Sequence, residues 1–206
     1  MEKPSIFCIT GGIGAGKSVV SRILRCNGLQ VYDCDTEAKR LMSCDPEVRR
    51  QLCEQIGSDV FQRNGELDKN YLRNLIFNDD IARRKVNGIV HTAVREDIIE
   101  KSRKAPSPFY IETAIPVTSS IDKICKEIWY VTAPVDERIA RIKGRDGLSE
   151  ADIILRIKTQ DIEYDTLSSE KVKIIINDND HNILLLVMRM AGLLVDRNET
   201  IIEYSK

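Results

Sequence analysis

The chain has 206 residues, 42% of them hydrophobic and 31% charged. That is the composition of a soluble globular protein with enough apolar area for a core, which excludes a disordered chain. With 31 basic residues against 32 acidic ones, no global field draws it to nucleic acid or to a membrane, so any anion site must be local. The length allows one compact α/β domain or a core carrying inserted subdomains. The six cysteines, at 8, 26, 34, 44, 53 and 125, form no C-x-x-C pair, and only His91 and His181 could join them as zinc ligands. Reduced structural thiols are therefore expected. Glu2 and Lys3 precede a very short apolar run, unlike a signal peptide. The longest apolar segment, residues 183–188, stops at Arg189 and is too short to span a bilayer. A cytoplasmic location is expected.

Residues 6–9 read as a buried strand and residues 20–24 as the start of a helix, since Val20, Ile23 and Leu24 recur at helical spacing. Between them stands GGIGAGKS, residues 11–18, in the strand, loop, helix context of a phosphate loop. Glycines without a Cβ let the backbone bend so that successive N–H groups face one concavity at the positive end of the helix. Gly12, Gly14, Ala15, Gly16 and Val19 would offer backbone to a triphosphate. Lys17 would bring a charge to the β- and γ-phosphates, and the Ser18 hydroxyl a ligand for Mg2+. The alternative reading is a glycine-rich turn without a ligand.

Asn27 and Gly28 close the first helix, and residues 29–32 read as a second strand running into Asp33, Cys34 and Asp35. An acid pair beyond a strand of an open α/β sheet can face a ligand. Equally, Asp35 or Thr36 can cap the next helix. Residues 36–104 are helical nearly throughout, with polar joints at 44–46, 57–59, 64–65 and 78–80. This far exceeds an ordinary crossover, so an inserted helical subdomain is expected. His91 sits among apolar neighbours and reads, taken alone, as a partly buried histidine rather than a catalyst. Pro106 and Pro108 end the helices. Strands follow at 109–113 and 128–132, then a helix with Pro134 near its first turn and Arg138, Arg141 and Arg145 on one face. Such a stripe is either a solvated face or a phosphate-binding lid. Residues 149–152 resemble a capping box, and a fifth strand at 172–176 ends in Asn177, Asp178 and Asn179 before a closing apolar helix from Asn182. The alternation predicts an α/β fold: a five-stranded, mostly parallel sheet covered on both faces.

Phosphate loops serve kinases, ATPases and GTPases alike. An N-K-x-D base-reading motif is absent from the sequence, and strand 109–111 ends in Glu112 rather than a magnesium-linked Asp. Small size, a helical insertion and an arginine-bearing segment suggest a small-metabolite kinase.

The ordered set GGIGAGKS, DCD, His91, Pro116, Arg141 to Asp146, Gln160 and IINDND resembles the dephospho-coenzyme A kinase family over almost the whole chain. Three departures stand out: Val19 replaces a common Thr, Thr92 replaces the Pro after His91, and VTSS follows Pro116 where the family tends to have an apolar pair and then Glu. The resemblance implies transfer of the ATP γ-phosphoryl group to the ribose 3′-hydroxyl of dephospho-coenzyme A, the last step of coenzyme A biosynthesis. It implies a P-loop core at 1–35, 106–135 and 171–206, an acceptor-binding insertion at 36–105 and a lid at 136–170. Asp35, with Asp33 as second choice, would take the acceptor proton, and Lys17, Arg141 and Arg145 would stabilise the transferred group. Asn177 would lie on the adenine side, and His91 and Asp33 would bind the acceptor. ATP and dephospho-coenzyme A are the expected partners, with Mg2+ as cofactor and a monomer as the expected state. A kinase for another nucleotide or small alcohol, or an ATP-binding regulatory module, are the alternatives.

Overall fold

A computed structural model describes residues 5–105, 108–147 and 149–194. The expectation for Pro106 and the charged tail from residue 196 lie outside the described residues. The strands are β1 (Ile6–Thr10), β2 (Val31–Asp33), β3 (Phe109–Glu112), β4 (Glu127–Thr132) and β5 (Val172–Ile176). They form one parallel five-stranded α/β sheet, as expected, in the order β2, β3, β1, β4, β5. In β1, the stretch IFCIT has Ile6, Cys8, Ile9 and Thr10 buried, because a central parallel strand is covered on both faces. It pairs with β3 from Ile6 opposite Phe109 and with β4 from Phe7 opposite Glu127. The chain thus leaves β1 for one side of the sheet and later crosses to the other. A ligand crevice belongs at that reversal, beyond the carboxyl end of β1.

Contacts divide the chain into two compact units, Asp33–Lys104 and the remainder. In the sheet-bearing unit, helices α1 (Lys17–Cys26) and α8 (Ile183–Met190) bury Val20, Leu24 and Val187 against Ile9, Trp129, Val131 and Ile175. A smaller apolar cluster joins α6 (Val135–Asp146) to α7 (Glu150–Asp165) through Ile142, Ile153 and Ile157, with Ile13 of the loop packed against it. Pro134 occupies the N-cap of α6, next to its first turn. Ser149 caps α7, its hydroxyl accepting from the Asp152 N–H at 3.2 Å. Among the described residues no helix is long and apolar enough to cross a membrane.

The other unit contains α2 (Cys34–Cys44), α3 (Pro46–Gln55), α4 (Lys69–Asn78) and α5 (Asp80–Lys104). The joints between these helices are Asp caps, because a carboxylate accepts from otherwise unpaired first-turn N–H groups at the positive helix end. Asp45 accepts from Glu47 and Val48, Asp68 from Asn70 and Tyr71, and Asp79 from Ile81 and Ala82. Neither Asp35 nor Thr36 caps α2. Asp33 does, accepting from the Thr36 N–H at 2.9 Å, because the strand ends one residue later than expected and Asp33 becomes the last extended position.

An ionic joint ties α2 to α5: Glu37 meets Arg40 and Lys101 at 2.7 Å, and Asp97 meets Lys101 at 3.0 Å and Arg40 at 3.3 Å. Burial pushes the Glu37 carboxyl up, but its bonds to Lys101 and Arg40 outweigh this and hold it below its ordinary 4.5. A depressed carboxylate contributes stability above its unfolded value, lost as pH falls through the folded one. Glu37→Gln should therefore lower Tm by roughly 1–4 °C at pH 7, given the modest worth of exposed pairs. The difference from wild type should shrink as pH drops below 4.5, which calorimetry across pH would check.

Candidate active site

β1 is followed by Gly11, whose φ of 141° and tight fit decide its identity: a Cβ there would meet the Val131 carbonyl oxygen of β4 at 2.0 Å. At the far end of the loop, Gly16 has φ 106°, and a Cβ would meet Asn177 Nδ2 at 2.0 Å. Only glycine satisfies both the left-handed backbone and the missing space. Between these points the chain turns over the carboxyl end of β1 and enters α1 at Lys17. The first N–H groups of a helix have no intrahelical partner, and the dipole adds positive potential there.

The carbonyls of the loop are engaged by side chains. Lys17 Nζ donates to Gly11 O at 2.7 Å and to Gly12 O at 3.3 Å. Arg138 Nε donates to Ile13 O at 3.0 Å, Arg141 Nη1 to Gly14 O at 3.4 Å, and Asn177 Nδ2 to Ala15 O at 2.8 Å. Arg141 also bonds Glu137 at 2.6 Å and the Asn177 carbonyl at 2.9 Å, while the Asn177 N–H donates to Thr132 O at 2.8 Å. Ser18 is exposed at the start of α1, and its hard hydroxyl oxygen suits Mg2+, which binds through few protein ligands and completes its shell with substrate phosphate and water. Among the described residues no group of three or more His, Cys, Asp or Glu side chains could hold a metal by itself. The Val19 N–H is used within the first turn, donating to Gly16 O at 2.9 Å.

The arginine stripe does not form one solvated face. Arg138 is 3% exposed, because α6 packs that side over the loop, whereas Arg145 lies outward. Arg145 grips Asp146 at 2.6 and 2.8 Å, a contact that raises the guanidinium and holds the Asp146 carboxyl below its ordinary range. The structure thus brings Gly12, Gly14, Ala15, Gly16, Lys17, Ser18, Arg141 and Asn177 together in the sheet-bearing unit. Asp33, Asp35 and His91 belong to the helical unit. There Asp33 is half-buried, Asp35 is exposed in the first turn of α2, and His91 is half-buried on α5. Arg138 is the contact that sequence reading missed. Its spacing with Arg141 signalled a shared face, but nothing local signalled burial.

A dephospho-CoA kinase family model matches residues 5–183. The chain is 37% identical to dephospho-CoA kinase of Porphyromonas gingivalis over 183 residues, covering 88% of this chain and 90% of that one. It is 32% identical to the Bacteroides fragilis enzyme of the same name over 191 residues, 92% of each. Among solved structures, dephospho-CoA kinase from Campylobacter jejuni superposes with a TM-score of 0.65 at 20% identity, covering 91% of this chain and 95% of that one. Shikimate kinase from Bacteroides thetaiotaomicron gives 0.57 at 12% identity, covering 92% and 97%. These two likenesses speak to the fold, that of phosphate-loop kinases. The sequence matches decide the rest: the chain belongs to the dephospho-CoA kinase family.

Proposed function

We propose that the loop at residues 11–18 holds the donor phosphates of ATP while the two halves of the reaction are divided between the chain's two units. The reaction is the family's: ATP gives its γ-phosphoryl group to the ribose 3′-hydroxyl of dephospho-coenzyme A, yielding coenzyme A. The observation that carries the donor assignment is the loop itself, where every carbonyl from Gly11 to Ala15 accepts a side-chain donor. Peptide planarity turns the N–H that follows an engaged carbonyl to the opposite side, so these bonds favour an anion-facing surface of amides, the Ala15 N–H excepted, which donates to Gly12 O at 3.3 Å.

Phosphoryl transfer demands positioning and charge stabilisation more than covalent chemistry. Lys17 binds the β- and γ-phosphates, and Gly12, Gly14, Ala15, Gly16 and Val19 line the donor side. Ser18 would hold Mg2+, which would supply neutralising charge when bound. Arg141 is already anchored beside the loop. Arg145 reaches phosphate by exchanging Asp146 for it, with residues 136–170 as lid, closing water out so that ATP is not hydrolysed. The helical segment receives dephospho-coenzyme A with help from His91 and Asp33. Asp35 accepts the hydroxyl proton. Its exposure leaves it accessible, whereas Asp33 already gives an oxygen to the helix cap. Asp33 is therefore the second candidate.

Incubation with ATP, Mg2+ and an acceptor panel, read by mass spectrometry, should give phosphorylation of dephospho-coenzyme A in preference to AMP or pantothenate. Transfer to AMP with none to dephospho-coenzyme A would overturn the acceptor. Asp35→Asn should lower transfer about 100-fold to 10,000-fold with ATP affinity near wild type. Because Asn caps helices as well as Asp, Asp33→Asn should keep α2 intact, so a loss confined to that variant would move the base to Asp33. Arg145→Ala should lower kcat by about 100-fold while equilibrium ATP binding, measured calorimetrically, stays within about twofold. Equal losses in both would make it an ordinary binding residue.

A further inference from the structure

We infer that Arg138 and Asn177 are positioning residues of the phosphate loop: they fix its peptide planes from behind and thereby set the chain's affinity for a polyphosphate. The inference rests on the donor reading above and assigns to two residues whose bonds support it, one of them expected on the adenine side, a measurable part in binding.

The two contacts are built alike. Arg138 projects from α6, is 3% exposed and donates through Nε to Ile13 O at 3.0 Å. Asn177 follows β5, is 9% exposed and donates through Nδ2 to Ala15 O at 2.8 Å. Each carbonyl belongs to the peptide unit that carries the next residue's N–H, that of Gly14 and of Gly16 respectively. With the carbonyl held on one side, planarity turns that N–H to the other. Gly14 and Gly16 both have positive φ, 76° and 106°, so their peptides lack the steric limits that would hold an ordinary residue. A flexible loop would lose entropy on closing around an anion, and one already held does not.

The surroundings make each donor hard to replace. A Cβ on Gly14 would meet the Arg138 carbonyl oxygen at 2.9 Å, and one on Gly16 the Asn177 amide at 2.0 Å. Asn177 is itself fixed at both backbone atoms, through Thr132 O and the Arg141 guanidinium. Its side-chain amide is therefore aimed by the sheet, and its nitrogen is spent on the loop rather than on a base.

Calorimetric titration of the full chain with ATP, and separately with inorganic tripolyphosphate, tests this. Arg138→Met keeps length and apolar bulk but has no donor. Asn177→Asp puts an acceptor opposite the Ala15 carbonyl. Each should weaken both ligands by about tenfold, the usual worth of a charge-assisted or buried hydrogen bond, with KM for dephospho-coenzyme A unchanged. Arg138→Lys should recover part of the loss. Unchanged affinity for both ligands in folded Arg138→Met and Asn177→Asp would overturn the inference, as would weakening of ATP alone, which would return Asn177 to the adenine side. Should Arg138→Met fail to fold, Asn177→Asp decides by the same criterion. Lys17→Ala separates the two layers of argument. If it weakens ATP and the others do not, only the positioning role fails, and if it too leaves ATP affinity unchanged, the donor reading fails with it.

Discussion

The structure depends on one close approach. Where β1 ends, the backbone must pass so near β4 and the Asn177 side chain that no Cβ fits at Gly11 or Gly16. That approach lets a loop of six residues turn over the carboxyl end of a buried strand and deliver its amides to the start of α1. The free energy for so cramped a path comes from the sheet and from the apolar packing of Ile9, Leu24, Trp129 and Val131 beneath it. The hydrogen bonds to its carbonyls then keep their polar groups from going unsatisfied at partial burial.

Charge in the sheet-bearing unit is placed with the same economy. Net charge is near zero, yet Lys17, Arg138 and Arg141 all donate to loop carbonyls. Three cations on one short loop would repel one another in isolation. Carbonyl dipoles and the Glu137 carboxylate at 2.6 Å from Arg141 offset that repulsion, and a polyphosphate would offset more of it. The loop is thus folded in a form whose electrostatics favour an anion, which is preorganisation in the sense that matters for phosphoryl transfer. Arg145 differs, being exposed and gripping a neighbouring carboxylate in its own helix. Its bond is of the screened surface kind that can be exchanged at small cost.

The helical unit is organised by another rule. Its helices start on aspartates, and α2 and α5 are joined by a four-membered ionic cluster. Capping with carboxylates suits short helices such as α2, α3 and α4, which cannot rely on length for stability. It also gives Asp33 a structural duty beside any chemical one, which distinguishes it from Asp35 two residues later.

What the sequence determined by itself was whatever depends on local pattern. Short apolar runs marked β1, β4 and β5, helical periodicity marked the helices from α2 to α5, and GGIGAGKS marked the glycine turn between β1 and α1, because its spacing is a property of the backbone alone. Family membership was legible for the same reason, in an ordered set of short motifs. Tertiary structure alone decided what those motifs touch. The arginines at 138, 141 and 145 share spacing, but α6 lies with one flank over the loop, so Arg138 is buried, Arg141 is anchored and Arg145 faces out. Nothing local distinguishes them. Asn177 likewise reads as one polar residue in an NDND loop until β5 pairs with β4 and aims its amide at Ala15, 162 positions away in the chain. The cap of α2 fell to Asp33 because the end of a strand is set by its neighbours in the sheet. Contacts between segments far apart in sequence are fixed by packing, and a single chain's periodicity carries no record of them.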